Sequence, residues 1–169
     1  MINIVLFEPE IPANTGNIMR TCVATNSKLH LIKPLGFSLE DKYIKRCGVN
    51  YIDKCDYVVY ENINDFFEKN DGEFYFLTRY GHKPQSSIDY SDKTKNYYFL
   101  FGKESTGIPN DILKPNIDRC MRMPMTSNVR ALNVSNAVAI MTYEALRQQD
   151  YPGLLFDEPH KSKNFIEEN

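Results

Sequence analysis

The stretch Cys120-Met121-Arg122-Met123-Pro124-Met125-Thr126-Ser127-Asn128-Val129-Arg130-Ala131-Leu132-Asn133-Val134-Ser135-Asn136-Ala137-Val138 decides how the chain is read. Cys120 to Met123 is a short apolar strand, and Pro124 stops it because proline cannot donate to a sheet ladder. A polar loop follows, built from the residue types that favour turns. Asn133 is then placed to cap a helix running to Gln149, whose apolar positions Val134, Ala137, Val138, Met141, Ala145 and Leu146 recur at helical spacing. Strand, loop and capped helix in that order present unpaired main-chain N–H groups at the loop's end, which is a ligand-binding arrangement.

The same alternation extends outward in both directions. Ile2 to Phe7, Leu29 to Ile32, Tyr57 to Tyr60, Phe74 to Thr78 and Tyr97 to Phe101 read as buried strands. Between them, Thr15 to Thr25, Ser38 to Cys47, Ile63 to Lys69 and Pro109 to Leu113 read as helices, and Gly81-His82-Lys83-Pro84 as the centre of a polar loop. Ser38, with Asp41 three residues on, is a variant of the capping box. This order implies one α/β domain with a mostly parallel sheet and helices on both faces. The domain is expected over residues 1–156, followed by a polar tail over 157–169.

Composition sets limits on function. Of the 169 residues, 42% are hydrophobic and 25% charged, the balance of an ordinary globular chain. No apolar run approaches the ~20 residues of a membrane span, and no basic segment with a cleavage site follows Met1, so a cytoplasmic location is expected. Cys22, Cys47, Cys55 and Cys120 are scattered, with neither a paired-cysteine motif nor clustered histidines, so neither metal nor disulfides are expected. A net charge of −2 and a pI near 5.9 argue against a generally basic nucleic-acid binder, though Lys42, Lys45 and Arg46 can form a local patch.

Two further stretches carry chemistry. Pro9-Glu10-Ile11-Pro12-Ala13-Asn14-Thr15-Gly16-Asn17-Ile18-Met19-Arg20 follows the first strand and places Asn14 and Arg20 near its carboxyl end, where α/β sheets bind ligands. Leu100-Phe101-Gly102-Lys103-Glu104-Ser105-Thr106-Gly107-Ile108-Pro109 ends another strand. There Gly102 would let main chain approach a ligand, and Glu104 stands at the sheet's carboxyl end. Neither stretch has the dinucleotide fingerprint or the Gly-Lys-Ser/Thr ending of a phosphate loop, so nucleotide-dependent redox and hydrolytic chemistry are disfavoured.

Together the three stretches resemble the SPOUT superfamily of RNA methyltransferases, specifically the TrmL (YibK) group that methylates the ribose 2′-oxygen of the tRNA wobble nucleotide. The likeness runs from Ile2 to about Gly153. It rests on Asn3-Ile4-Val5-Leu6-Phe7-Glu8-Pro9-Glu10-Ile11-Pro12, Asn14-Thr15-Gly16-Asn17-Ile18 with Arg20, His30-Leu31-Ile32, and Pro34-Leu35-Gly36-Phe37. It continues through Phe101-Gly102 with Glu104 and Gly107, Asn133-Val134-Ser135-Asn136-Ala137-Val138, and Tyr143-Glu144-Ala145 with Arg147-Gln148.

The resemblance implies a C-terminal trefoil knot, a homodimer, and S-adenosylmethionine as cofactor with no metal. By the family pattern the cofactor contacts fall on Leu77, Thr78, Gly102, Met123, Met125, Ala131, Leu132 and Ser135. Arg20, Asn14, Glu104 and Asn133 match the catalytic set. Arg20 either takes the ribose proton or holds the neighbouring phosphate and stabilises developing oxygen charge. Arg130, Tyr143, Lys45 and Arg46 are the candidates for tRNA, bound through its anticodon stem-loop. Relatives commonly carry serine where this chain has Ala131, a missing contact worth roughly 1 kcal/mol. The alternatives are 2′-O-methylation of another tRNA position or of ribosomal RNA, and a cofactor- or RNA-binding module without turnover.

Overall fold

Two fully buried strands lie at the centre of the sheet: β1 (Ile2–Phe7), buried at every position, beside β6 (Tyr97–Phe101), likewise buried throughout. The computed structural model describes residues 1–40, 44, 53–162 and 164–168. Around the central pair stand β2 (Lys28–Ile32), β3 (Tyr57–Tyr60), β4 (Glu73–Leu77), β5 (Lys83–Pro84) and β7 (Cys120–Arg122), giving the order β3-β2-β1-β6-β4-β7-β5. Every pairing is parallel. Continuous apolar runs such as Ile2–Phe7 are what a strand covered on both faces requires.

Alternate residues of β1 serve opposite faces. Ile4 and Leu6 pack with Ile18, Met19 and Cys22 of α1 (Pro12–Thr25) and with Val138, Met141, Ala145 and Leu146 of a long final-third helix, Val134–Gln148. Val5 and Phe7 pack on the other side with Phe66 of α2 (Ile63–Lys69) and Leu113 of α3 (Asn110–Leu113). The helix Val134–Gln148 is α4, and a single exposed turn, α5 (Phe165–Glu168), lies near the chain end. The sheet therefore has helices on both faces, as expected.

Local chemistry sets the helix ends. Asn62 caps α2 by accepting from the N–H groups of Asn64 and Asp65, both at 3.0 Å. Asn133 caps α4, accepting from Ser135 N–H at 2.9 Å. α1 starts at Pro12, three residues before the expected Thr15. Proline suits the first helical turn because its missing N–H would have no intrahelical partner there. α1 stops at Asn26, whose φ of 52° is the left-handed cap conformation that asparagine tolerates. Of the expected helix from Ser38 to Cys47, residues 41–43 and 45–47 lie outside the described residues, and Lys42, Lys45, Arg46 and Cys47 with them.

One expectation is corrected. The segment around Gly81–Pro84 is not only loop, because Lys83-Pro84 forms β5 at the sheet edge against Met121 and Arg122 of β7. A two-residue edge strand containing proline carries no period-2 signal, and proline is tolerated there because one side of the strand needs no partner. In consequence β7 is inserted between β4 and β5, two strands joined only by residues 78–82. Thr78 N–H donates to Met121 C=O at 2.9 Å, and a Cβ on Gly81 would stand 2.4 Å from the Met121 carbonyl carbon. Only glycine fits that crossing. Beyond it, Gln148 and Gln149 tie the end of α4 to the main chain of Tyr90, at 2.7 and 2.8 Å. This threading fits the knot that the resemblance implies.

Beneath the sheet's other end, His30 is 1% exposed and sits in a polar chain. The Asn3 amide donates to Tyr97 C=O, so its oxygen faces His30 and accepts from Nε2–H at 3.1 Å. Nδ1 must then accept from the Tyr60 hydroxyl at 2.9 Å, which in turn accepts from Asn70 at 3.1 Å. The imidazole is thereby held neutral, and burial, reinforced by nearby Lys28, pushes its pKa down to about 4. Because the folded value lies below the unfolded one, its contribution to stability is present above pH 6.5 and is lost as pH falls from 6.5 to 4. Unfolding in urea should therefore show the native chain losing about 2 kcal/mol more than His30→Gln between pH 7 and pH 5. Parallel pH profiles for the two proteins would contradict this.

Candidate active site

The loops after β1 and β6 are clasped together at the carboxyl ends of their strands. Glu104 accepts from Glu10 N–H at 2.9 Å, Ile11 N–H at 3.3 Å and the Asn14 amide at 3.0 Å. In return Glu10 accepts from Ser105 N–H at 2.9 Å and the Ser105 hydroxyl at 2.8 Å. These bonds, the hydroxyl's first, hold the Glu10 carboxyl below the usual carboxylate range. Lys103 pairs with Glu8 at 2.8 Å, which raises the lysine pKa. α1 has no side-chain cap of its own, so the Glu104 carboxylate supplies negative charge and acceptors at its start.

A continuous chain of side chains leaves this clasp. Asn14, buried at 6% exposure in the first turn of α1, gives its NH2 to Glu104 and takes a bond from the Asn133 NH2 at 3.0 Å. The Asn133 oxygen then accepts from both the N–H and the hydroxyl of Ser135, at 2.9 and 2.7 Å. Charged carboxylate and amide donors fix each orientation. The chain Glu104–Asn14–Asn133–Ser135 thus joins the β6 loop, α1 and the start of α4. Three of the four residues predicted as catalytic come together here.

The fourth, Arg20, lies elsewhere on α1. Six residues past Asn14 is about 240° around the helix, so Arg20 is exposed where Asn14 is buried. It lines a cleft of about 350 Å³ between α1 and α4, with Asn17, Thr21, Ser135, Asn136 and Tyr143. Ser135 belongs to both groups and connects them. Tyr143 is 47% exposed at the rim.

The predicted cofactor residues fall around the loop 123–132, which belongs to no strand or helix. Leu77 and Thr78 are half-buried at the end of β4, Met123 is 8% exposed, Met125 is half-buried, and Ala131 and Leu132 are exposed beside exposed Arg130. Gly102 also has a structural role. A Cβ there would meet the Gly107 carbonyl carbon at 2.2 Å, so the Gly102–Gly107 turn requires its missing side chain. Gly107 needs glycine for its φ of 78°. Lys45 and Arg46 lie outside the described residues. Sequence reasoning misses Glu10 and Ser105 as parts of the site; an acidic residue beside Pro9 and a serine after Glu104 carry no local signal for a clasp 95 residues apart. Among the described residues no group of three or more His, Cys, Asp or Glu could hold a metal, and no helix is long and apolar enough to cross a membrane.

A parallel sheet with β7 threaded between two neighbours defines an α/β protein, and its polar constellation gathers at the strands' carboxyl ends, the rim at which such sheets bind ligands. The chain belongs to the SpoU rRNA methylase family, whose model matches residues 1–143. Among its relatives, a Listeria innocua protein provisionally named a tRNA (cytidine(34)-2′-O)-methyltransferase is 51% identical over 167 residues, covering 98% of each chain. The Escherichia coli K12 protein of that name is 41% identical over 155 residues, 90% of this chain and 97% of its own. A solved structure concerned with 2-OH methylation of C/U34 on tRNA superposes with a TM-score of 0.82 at 34% identity, covering 89% of this chain and 91% of that one.

Two substitutions probe the clasp. Glu104→Gln turns an amide NH2 toward groups that themselves donate, and should cost roughly 1–3 kcal/mol of stability in urea unfolding. Gly102→Ala should cost about 2 kcal/mol or more, since main chain and not a movable side chain occupies the space. Near-wild-type midpoints for both would contradict the geometry described.

Proposed function

We infer that this protein transfers a methyl group from S-adenosylmethionine to the ribose 2′-hydroxyl of the wobble nucleotide, position 34, of tRNA. The observation that carries the reading is the chain Glu104–Asn14–Asn133–Ser135, which ties three separate segments into one rim beside the cleft holding Arg20. Relatives that carry this activity in their names match the chain over nearly its whole length, which supports the same substrate here.

The residues present suit the cofactor. Leu77, Met123, Met125 and Leu132 offer apolar walls, and the loop 123–132 offers main-chain donors and acceptors outside any ladder. The sulfonium supplies an electrophilic methyl and a good leaving group, so the protein's work is positioning. Glu104 and Asn14 hold α1 against the β6 loop, and Asn133 fixes the start of α4 and the Ser135 hydroxyl. Arg20 stands in the cleft to hold an RNA phosphate and to stabilise charge growing on the ribose oxygen. A guanidinium scarcely deprotonates, so electrostatic positioning is its favoured role over taking the proton.

The active form is a homodimer in the cytoplasm, with the anticodon stem-loop lying across both copies. Ile140 and Tyr143, 45% and 47% exposed on α4, provide an apolar face beside the Arg20 cleft for the second copy. Arg130, exposed in the loop, is a tRNA contact.

The test is methyl transfer from labelled S-adenosylmethionine to tRNA from cells lacking this protein, with the modified nucleotide mapped by mass spectrometry. A 2′-O-methyl group at position 34 is expected; a mark at another position or only on ribosomal RNA would overturn the substrate. Arg20→Ala should lower kcat at least 100-fold while cofactor affinity stays within a few-fold.

A further inference from the structure

A basic surface of residues given no role above borders the loop assigned to the cofactor, with which it shares Met125. The link between β4 and β5 carries Arg79, Tyr80 and His82, β5 begins with Lys83, and β7 ends with Arg122. His82, Lys83 and Arg122 line a cleft of about 360 Å³ with Gly81, Pro124 and Met125. In a chain of net charge −2 this concentration is unbalanced: among the described residues none of Arg79, Lys83 and Arg122 is in an ion pair with a carboxylate. Uncompensated cations gathered around a concave site suit a polyanion.

The surface is also held in shape. Arg122, which lines the cleft, donates to Arg79 C=O at 2.9 Å, and this bond fixes one of its N–H groups. Tyr80 N–H donates to the Thr78 hydroxyl at 3.3 Å, and Gly81 packs closely against the Met121 main chain, which ties the link to β7. The Arg79 guanidinium lies over the Tyr80 ring, 4.7 Å from its centroid, and its NH2 group donates to the Tyr80 hydroxyl. Tyr80 as a whole is nevertheless 57% exposed. An exposed aromatic ring backed by arginine and flanked by further cations is the surface on which unpaired nucleotides stack.

We propose that this surface binds single-stranded RNA next to the nucleotide being methylated. A phosphate sits in the cleft against Arg122 and Lys83, and an unpaired base stacks on the open side of Tyr80. The assignment rests on the tRNA reading above and adds residues that reading does not use. Pro124 and Met125 wall the same cleft and open the loop proposed to hold the cofactor, so RNA held here is brought beside the reacting methyl.

The experiment measures binding of a 17-nucleotide anticodon stem-loop RNA by fluorescence anisotropy between about 50 and 200 mM salt. Arg79→Gln/Lys83→Gln should weaken binding about tenfold or more and lower the salt slope by about 1. Tyr80→Ala should weaken it at least fivefold with little change of slope, and Tyr80→Phe should restore most of the loss. In each variant KM for RNA should rise while kcat at saturating RNA, cofactor affinity and Tm hold. Unchanged RNA affinity and slope in the variants overturns the assignment. So does lost cofactor affinity with RNA affinity intact, which would give the cleft to the cofactor. A wild-type protein that binds no tRNA overturns the functional reading itself, and is thereby distinguished from both.

Discussion

The carboxylate of Glu104 is the point on which the site depends. It reaches from the loop after the central strand β6 to the start of α1 and accepts three donors there, two from main chain and one from Asn14. Those two main-chain donors, Glu10 and Ile11, immediately precede Pro12, where α1 begins without a side-chain cap of its own. One charged acceptor therefore sets the position of α1. Through Asn14 and Asn133 it also sets where α4 begins, and with it the end of the loop 123–132.

The threading of β7 gives that contact its reach. Because β7 lies between β4 and β5, the chain emerging from it enters the loop 123–132 at the sheet's carboxyl end and returns as α4 across the face already occupied by α1. Glu104 and Asn133 are brought together from opposite ends of this path. Gly81 makes the crossing sterically possible, and Gly102 closes the turn that presents Glu104. Two glycines thus do separate jobs in one construction.

Much of the fold is legible in the chain because parallel strands buried on both faces must be apolar throughout. Ile2–Phe7 and Tyr97–Phe101 declare themselves, as does Asn133 ahead of an apolar helical stripe. β5 does not, since a Lys-Pro pair is a strand only by virtue of the neighbour that reaches it. The start of α1 is equally hidden, because its acceptor stands about 90 residues away. Asn14, Glu104 and Asn133 can be marked from a resemblance. That they bond to one another follows only from a tertiary path no local pattern encodes. Arg20, by contrast, is set by helical phase alone to face a different cleft, and Ser135 is the residue that bridges the two.

If one chain of hydrogen bonds organises the site, its members must act as a unit. The most direct measurement is a double-mutant cycle on kcat/KM for methyl transfer to tRNA, using Asn14→Ala, Asn133→Ala and the pair. The account predicts strong non-additivity, with the double variant scarcely slower than the worse single one, because breaking either link already uncouples α4 from Glu104. Losses that simply multiply would show that Asn14 and Asn133 act independently, and would contradict it.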